Sequence, residues 1–183
     1  ITYNGENQYL SSAGSTSAGT IYYYVSTSPT TPTFSTSTWS ISRPIGQNAT
    51  TYYLWYFVSV NANNYSGSGI NTVIKIETGS KVINQKALTV TAASDSKEYD
   101  GNPLTINSAT LSGHFSGHKL YSATYGGSQT TVGSSNSTVK DAVIRSGNTT
   151  VTGNYAITYA TGRLTVTPAS FTVGNKSDKT YTW

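Results

Sequence analysis

Short runs of alternating apolar and polar residues recur along the chain, and this period of two is typical of half-buried β-strands. The runs TIYYYVS and TYYLWYFVSV are apolar for most of their length, and on a strand every second residue of each run belongs to the same face. Gly, Asn and Ser separate the runs and indicate turns. We therefore predict an all-β protein with almost no helix and with strands over residues 20–26, 51–60, 71–77, 87–93, 155–160 and 163–167.

The composition agrees with this prediction. The chain has 27 Ser, 31 Thr and 15 Tyr among 183 residues, and Thr and Tyr favour pleated, half-buried surfaces. The lack of cysteine removes disulfide and thiolate chemistry together. The net charge of +4 is dispersed, so we expect no nucleic-acid partner, and no apolar run is long enough for membrane insertion of this stretch.

Two short stretches share a Tyr-Asn/Asp-Gly pattern and end in a turn signal: Tyr3, Asn4, Gly5 and Tyr99, Asp100, Gly101. Gly accepts positive φ, and an Asn or Asp side chain accepts hydrogen bonds from its own backbone, so both stretches predict structural turns. We expect the rings of Tyr3 and Tyr99 to be buried at the ends of the preceding strands. A catalytic role for Asp100 would need a second carboxylate at a controlled distance, and the chain has only seven acidic residues.

Further pairs of similar stretches follow these two turns in the same order and at similar spacing, which indicates two diverged copies of one module. They are Ile45-Gly46 with Val132-Gly133, and Asn64-Tyr65 with Asn154-Tyr155. We predict a first repeat over 1–80 that lacks its opening strand, and a second repeat over 87–168. Residues 169–183 then correspond to the first strand of a truncated third repeat.

The second repeat carries the stretches SDSKEYDGNPLT, LSGHFSG, TVGSSN and VTGNYAITYATGRLTVTPASFTV. Over residues 87–168 it resembles the YDG/MBG-type immunoglobulin-like tandem repeats of large bacterial cell-surface, adhesin-like proteins, and the first repeat resembles a sister type. The resemblance implies two tandem immunoglobulin-like β-sandwich modules joined end to end. It also implies a secreted, extracellular protein that is attached to the cell surface or cell wall.

The stretch GHFSGHKL places His114 and His118 four residues apart, a spacing that suits a metal on a helix. Glycines bound the stretch and no helical pattern surrounds it, so we expect solvent-exposed loop histidines and no metal site. The two histidines share one loop, which leaves the many hydroxyl groups without a credible general base. We therefore expect no catalytic residue, no cofactor and no enzymatic activity.

The aromatic runs offer one candidate binding face. If the strands 20–26 and 51–60 pair, alternation places Tyr22, Tyr24, Tyr53 and Trp55 on one outward surface that would bind a glycan or a host surface protein. The alternative is that both faces of this sheet are covered, or that the aromatic ladder stiffens the sheet.

Two structural alternatives also remain open. A Lys–Asn crosslink assisted by a buried carboxylate is one, because the second repeat is rich in Asn and contains Lys86, Lys97, Lys119 and Lys140. The other concerns residues 169–183, which either add a strand to the first module of a neighbouring molecule or fray as a tail.

Two functions follow from these expectations. In the first, the repeats are a stalk or spacer that displays a distal adhesive or enzymatic domain, and their partners are the adjacent repeats of the same chain. In the second, the modules themselves adhere through the aromatic face.

Overall fold

The structure, a computed structural model, describes residues 1–76 and 81–174, and in these residues it is all-β. They contain strands and a single short 3-10 turn, Thr152–Asn154, without any α-helix. The strands are β1 (Gln8–Tyr9), β2 (Thr20–Ser26), β3 (Ile45–Gly46), β4 (Thr51–Ser59), β5 (Val73–Lys75), β6 (Lys81–Val82), β7 (Lys86–Ala92), β8 (Asp95–Glu98), β9 (Ala109–Ser112), β10 (His118–Gly126), β11 (Gly133–Ser146), β12 (Thr149–Thr150), β13 (Tyr155–Ala160) and β14 (Gly162–Thr167). The predicted all-β class with almost no helix is confirmed.

The sheets have the strand orders β1-β3, β2-β4-β5 with β6 beside β4, β13-β7-β9, and β10-β11-β14-β8 with β12 beside β11. The contacts divide the chain into two compact units. The first unit comprises Ile1–Thr89, Ser112–Tyr121 and Val143–Thr158; the second comprises Val90–Leu111, Ser122–Ala142 and the described residues from Tyr159. Among the strands of the described residues, five contribute residues to both units: β7, β9, β10, β11 and β13. The repeats at 1–80 and 87–168 are inferred from recurring sequence motifs, and this division stays a prediction.

The main sheet of the first unit is built on the pairing of β2 with β4. The two strands are antiparallel over seven residue pairs, from Thr20 opposite Ser59 to Ser26 opposite Tyr53. Their long runs of Tyr, Val and Trp suit this position because aromatic and β-branched side chains pack well across strands. Strands β5 and β6 both pair with β4, so β4 is the central strand of this unit.

The core of the second unit lies against strand β14. This strand pairs antiparallel with β11 and parallel with β8. Its inward residues Leu164 and Val166 are fully buried and pack with Leu104 and Ile106. The sequence GRLTVT therefore alternates as expected for a strand with one core face.

Each predicted strand overlaps an observed one. Strands β2 and β13 match the predicted bounds to the residue, and β4, β7 and β14 agree within one residue at each end. Strand β5 is shorter than the predicted 71–77, and Glu77 lies outside the described residues.

The described start of the expected third repeat, residues 169–174, forms no strand. Phe171 and Val173 are exposed there. The strand expected over these residues is therefore not formed, because a lone extended segment leaves its backbone groups without a neighbouring strand. Tyr181 and Trp183 lie outside the described part of the chain.

Candidate functional site

Both Tyr-Asn/Asp-Gly stretches form the same kind of turn. The side-chain oxygen Oδ1 of Asn4 accepts the N–H of the residue two positions later at 2.9 Å, and Oδ1 of Asp100 makes the same bond at 2.9 Å. The glycines that follow have positive φ, 87° at Gly5 and 80° at Gly101. Glycine adopts this conformation without steric cost, which explains its presence at both positions.

The main chain entering each turn is also held in the same way. The N–H of Tyr3 donates to the carbonyl of Asn84 at 2.8 Å, and the N–H of Tyr99 donates to the carbonyl of Thr167 at 2.9 Å. Before the first turn, Thr2 forms an isolated parallel bridge with Asn84, and before the second turn, strand β8 runs parallel to β14. The two stretches therefore share main-chain and side-chain hydrogen bonds as well as a sequence pattern.

The second turn carries an additional ion pair. The ammonium group of Lys97 lies 2.6 Å from a carboxylate oxygen of Asp100 and also donates to the carbonyl of Asn102 at 2.8 Å. The hydrogen bond from Lys97, followed by the backbone N–H of Asn102, lowers the pKa of Asp100 below its ordinary value. These contacts fix the turn in one conformation.

The two tyrosine rings have different surroundings. Tyr3 is only 4% exposed, and its ring packs edge-on against Phe115 and Tyr155, with centroids 5.7 and 5.8 Å away. Tyr99 is 46% exposed. The expected burial is thus observed for Tyr3 and is wrong for Tyr99, because the aromatic cluster that covers Tyr3 has no counterpart against Tyr99 in the described chain.

His118 belongs to this aromatic cluster, which we define as Tyr3, Phe115, His118 and Tyr155. It is buried at the start of β10, and its Nδ1 lies 2.6 Å from the Tyr155 hydroxyl. His114 is exposed. The expectation of a solvent-exposed loop is therefore wrong for His118, because the chain after Gly117 enters a strand whose first side chain points into the cluster.

Burial sets the electrostatics of the aromatic cluster. Loss of solvation lowers the pKa of His118, and the nearby His114 lowers it further. Burial also raises the pKa of Tyr155, against the opposing effect of the N–H of Phe115, which donates to its hydroxyl. The tautomer of His118 sets the direction of this bond: the Tyr155 hydroxyl donates when the imidazole proton resides on Nε2, and Nδ1 donates when the proton resides there.

A buried amide lies beside the aromatic cluster. Oδ1 of Asn154 accepts the N–H of Ala49 at 2.7 Å, and its Nδ2 donates to Oδ1 of Asn48 at 3.0 Å. Next to it, Nε2 of Gln85 donates to the carbonyl of Gly153 at 2.9 Å. Asn64, the residue of the first predicted repeat that corresponds to Asn154 in the second, is exposed. The two Asn-Tyr anchors therefore have different structural roles.

The residues of the candidate binding face are brought together as the pairing of strands predicts. Tyr24 lies directly opposite Trp55, and the ring centroids are 6.0 Å apart. Tyr53 is 6.4 Å from Trp55 on the same strand. Tyr22 lies farther along β2 and contacts Phe34, at 5.2 Å.

The segment between β2 and β3 covers much of this face. Phe34 stacks on Phe57 with centroids 3.7 Å apart, and Trp39 packs 5.4 Å from Tyr24. Trp55 is 0% exposed. Trp55 thus lies on the predicted face, but the solvent exposure expected for it is wrong, and Tyr22, Tyr24 and Tyr53 are half-buried.

A cleft with a volume of about 570 Å³ lies beside this sheet in the first unit. Hydroxyl-bearing and apolar side chains line it, including Ser11, Ser15, Ile21, Tyr56 and Val58. A smaller cleft of about 240 Å³ lies next to the aromatic cluster, between Tyr3 and His118. Neither cleft contains an acidic side chain among its lining residues.

Every carboxylate in the described ranges is exposed: Glu6, Asp95, Glu98, Asp100 and Asp141. The buried carboxylate that a Lys–Asn crosslink requires is thus not found within residues 1–76 and 81–174. The described part of the chain also holds no group of three or more His, Cys, Asp or Glu that could bind a metal ion. None of its helices is long and apolar enough to cross a membrane.

No protein-family model, curated protein or solved structure matches this chain. The resemblance to YDG/MBG repeats therefore rests on the sequence motifs, and a function has to be argued from the turns, the aromatic cluster and the covered sheet.

Proposed function

We propose that this chain is a non-catalytic repeat region of a bacterial surface protein, where it serves as a stalk or spacer that displays a distal adhesive or enzymatic domain. In this proposal it is extracellular, is attached to the cell surface or cell wall, and consists of tandem immunoglobulin-like modules. The observation that carries the proposal is the recurrence of one turn with the same side-chain and main-chain hydrogen bonds at Tyr3 and Tyr99. Repetition of one unit lengthens a protein without adding new chemistry.

The contacts of the first unit supply the stiffness that a spacer needs. Tyr3 and Asn48 come from the predicted first repeat, whereas Phe115 and Asn154 come from the predicted second one. These residues meet through edge-on rings and through side-chain hydrogen bonds of 3.0 Å or less. A flexible link between repeats would have left Tyr3 exposed, whereas the buried ring resists bending at this position.

The covered aromatic face speaks against adhesion through that surface. A glycan-binding platform needs exposed rings on which a sugar can stack, but Phe34 and Trp39 lie against the strands that carry the face. The burial of Trp55 fits the alternative in which the aromatic ladder stiffens the sheet.

Surface display tests the proposal. The full chain is placed between a wall anchor and an epitope on a Gram-positive host, and antibody binding to the epitope is compared with that of a Gly/Ser linker of 183 residues. The flexible linker has an end-to-end distance of only about 70–80 Å, from 5–6 Å multiplied by the square root of its length. We expect the full chain to present the epitope to a bulky antibody better than this linker does.

A Tyr53→Ala variant is the matched control, because a spacer does not depend on this half-exposed ring. Epitope presentation that is no better than with the flexible linker would contradict the proposal. So would attachment of the displaying cells to glycan-coated beads that is lost in the Tyr53→Ala variant.

A further inference from the structure

We infer that the exposed turn at Tyr99 is a docking surface for a further copy of the repeat, whose aromatic residues bury Tyr99 as Phe115, His118 and Tyr155 bury Tyr3. This inference rests on the proposed function and adds to it a specific contact surface and a specific partner.

The first step is the equivalence of the two turns. Besides the bonds at the turn itself, the chain that leaves each turn is held alike. The N–H of Leu10 donates to the carbonyl of Pro44 at 2.9 Å, and the N–H of Leu104 donates to the carbonyl of Gln129 at 2.8 Å. Both leucines are buried. The leucine follows the tyrosine by seven residues in the first case and by five in the second, so the backbone shape that the two share is that of the turn itself.

The second step is the difference in what touches the turns. A Cβ atom on Gly5 would lie 3.5 Å from the ring of Phe115, whereas at Gly101 it would meet only open space within the described chain. The exposed fraction of the tyrosine follows the same division, 4% at Tyr3 and 46% at Tyr99. Among residues 1–76 and 81–174, other side chains cover the Tyr3 turn and none covers the Tyr99 turn in this way.

The third step is the chemistry of the occupant. The rings of Phe115, His118 and Tyr155 all have centroids within 6.4 Å of the Tyr3 centroid. Two of these rings come from the stretch GHFSGHKL and the third from the Asn-Tyr anchor of the same repeat. Within this chain that aromatic site is filled by Tyr3, so the occupant of the Tyr99 turn has to come from another copy of the repeat.

The Tyr99 turn is also prepared for docking. Lys97 binds both Asp100 and the carbonyl of Asn102, which holds the turn in its conformation before any partner arrives. A turn that is already ordered loses little conformational entropy when it is covered.

An internal duplication tests the inference in the full chain. Residues 1–167 are followed by residues 85–183, so that 85–167 occurs twice. Asn84 and Thr167 accept the equivalent tyrosine N–H bonds, and this junction therefore reproduces the native spacing. A Ser96→Thr change in the added copy distinguishes the two Tyr99 peptides by mass.

Tyrosine nitration, followed peptide by peptide with mass spectrometry, reports the exposure of each ring. In the unmodified chain we expect Tyr99 to react at a rate close to that of Tyr121, which is 62% exposed, and Tyr3 to be protected. In the duplicated chain we expect the nitration rate of Tyr99 in the first copy to fall at least about tenfold, because a buried ring becomes accessible only through local opening. Tyr99 of the added copy should stay reactive.

A Phe115→Ala change in the added copy is the matched control and should restore the reactivity of the first Tyr99. The inference is overturned if both copies of Tyr99 react equally fast while Tyr3 stays protected, or if the duplicated chain fails to protect Tyr3. A second variant, Tyr99→Ala in the unduplicated chain, should leave the urea midpoint unchanged; a clear fall would show that Tyr99 already has a packing role and would equally overturn it. Equal reactivity combined with normal epitope display would reject the docking surface and leave the spacer function standing.

Discussion

Replacing Trp55 with alanine tests whether the aromatic face is a packed part of the fold. The indole is fully buried between the rings of Tyr24 and Tyr53, at centroid distances of 6.0 and 6.4 Å. Removing a buried Trp or Phe side chain costs about 3–5 kcal/mol when the surroundings cannot collapse into the space. The seven-residue pairing of β2 with β4 holds the backbone here, so we expect a loss of about 4 kcal/mol.

The assay is equilibrium unfolding in urea, followed by far-UV circular dichroism because the change removes a fluorophore. With a slope of about 1–3 kcal/mol per molar urea, a loss of this size lowers the midpoint by about 1.3–4 M. Trp55→Phe should lose much less stability than Trp55→Ala, since it keeps a ring and removes an indole N–H that has no hydrogen-bond partner in the described structure. Tyr53→Ala, at a half-buried position, should also lose less stability than Trp55→Ala. A Trp55→Ala midpoint within about 0.3 M of the unmodified chain would refute the packed face, because surface changes have effects of that size.

Two further predictions concern the surroundings of the aromatic cluster. Because burial lowers the pKa of His118 in the folded chain, the unfolded chain binds more protons just below neutrality. The contribution of His118 to stability is therefore fully present above the ordinary histidine pKa of 6.5 and is lost as the pH falls from there toward the folded pKa. Urea midpoints measured between about pH 7.5 and 5 should decrease accordingly. The His118→Gln variant should show a flatter pH dependence, and His114→Gln should largely keep that of the unmodified chain. Equal slopes in all three proteins would contradict the burial of His118. Asn154→Ala should cost about 1–3 kcal/mol, since it removes a buried amide and leaves the part-buried N–H of Ala49 without its acceptor. Asn64→Ala, at an exposed position, should change stability by less than about 0.5 kcal/mol. Similar losses for the two asparagines would argue against the buried amide.

The strands that could be predicted are those rich in residues that favour β-structure. In β2 and β4 these are Tyr, Val and Trp, and the strand bounds follow from where the runs begin and end. Strand β11 is different, because GSSNSTVKDAVIRS begins with small polar residues and has few apolar positions to set a period. Such a strand is recognised by its partners, here β14, rather than by its own sequence.

The turns were predictable for a related reason. An Asn-Gly or Asp-Gly pair after a strand acts locally, through a side-chain bond to the backbone and a positive φ at glycine, and both turns form as expected.

Burial depends on contacts between residues far apart in the chain, and there the sequence was less informative. Alternation placed Trp55 on the outer face correctly, but it could not show that Phe34 and Trp39 would cover that face. The only available signal was the presence of two large aromatic residues in the polar segment PTFSTSTW. His118 was similarly missed because its burial comes from Tyr3 and Tyr155, more than thirty positions away in the chain.

The spacer function is tested most directly by glycan-array binding of the full, fluorescently labelled chain. We predict no saturable binding to any glycan, and the same low signal for the unmodified chain and for Tyr53→Ala. Saturable binding by the unmodified chain that disappears in Tyr53→Ala, while the urea midpoints show both proteins to be folded, would contradict the spacer and establish an adhesive module.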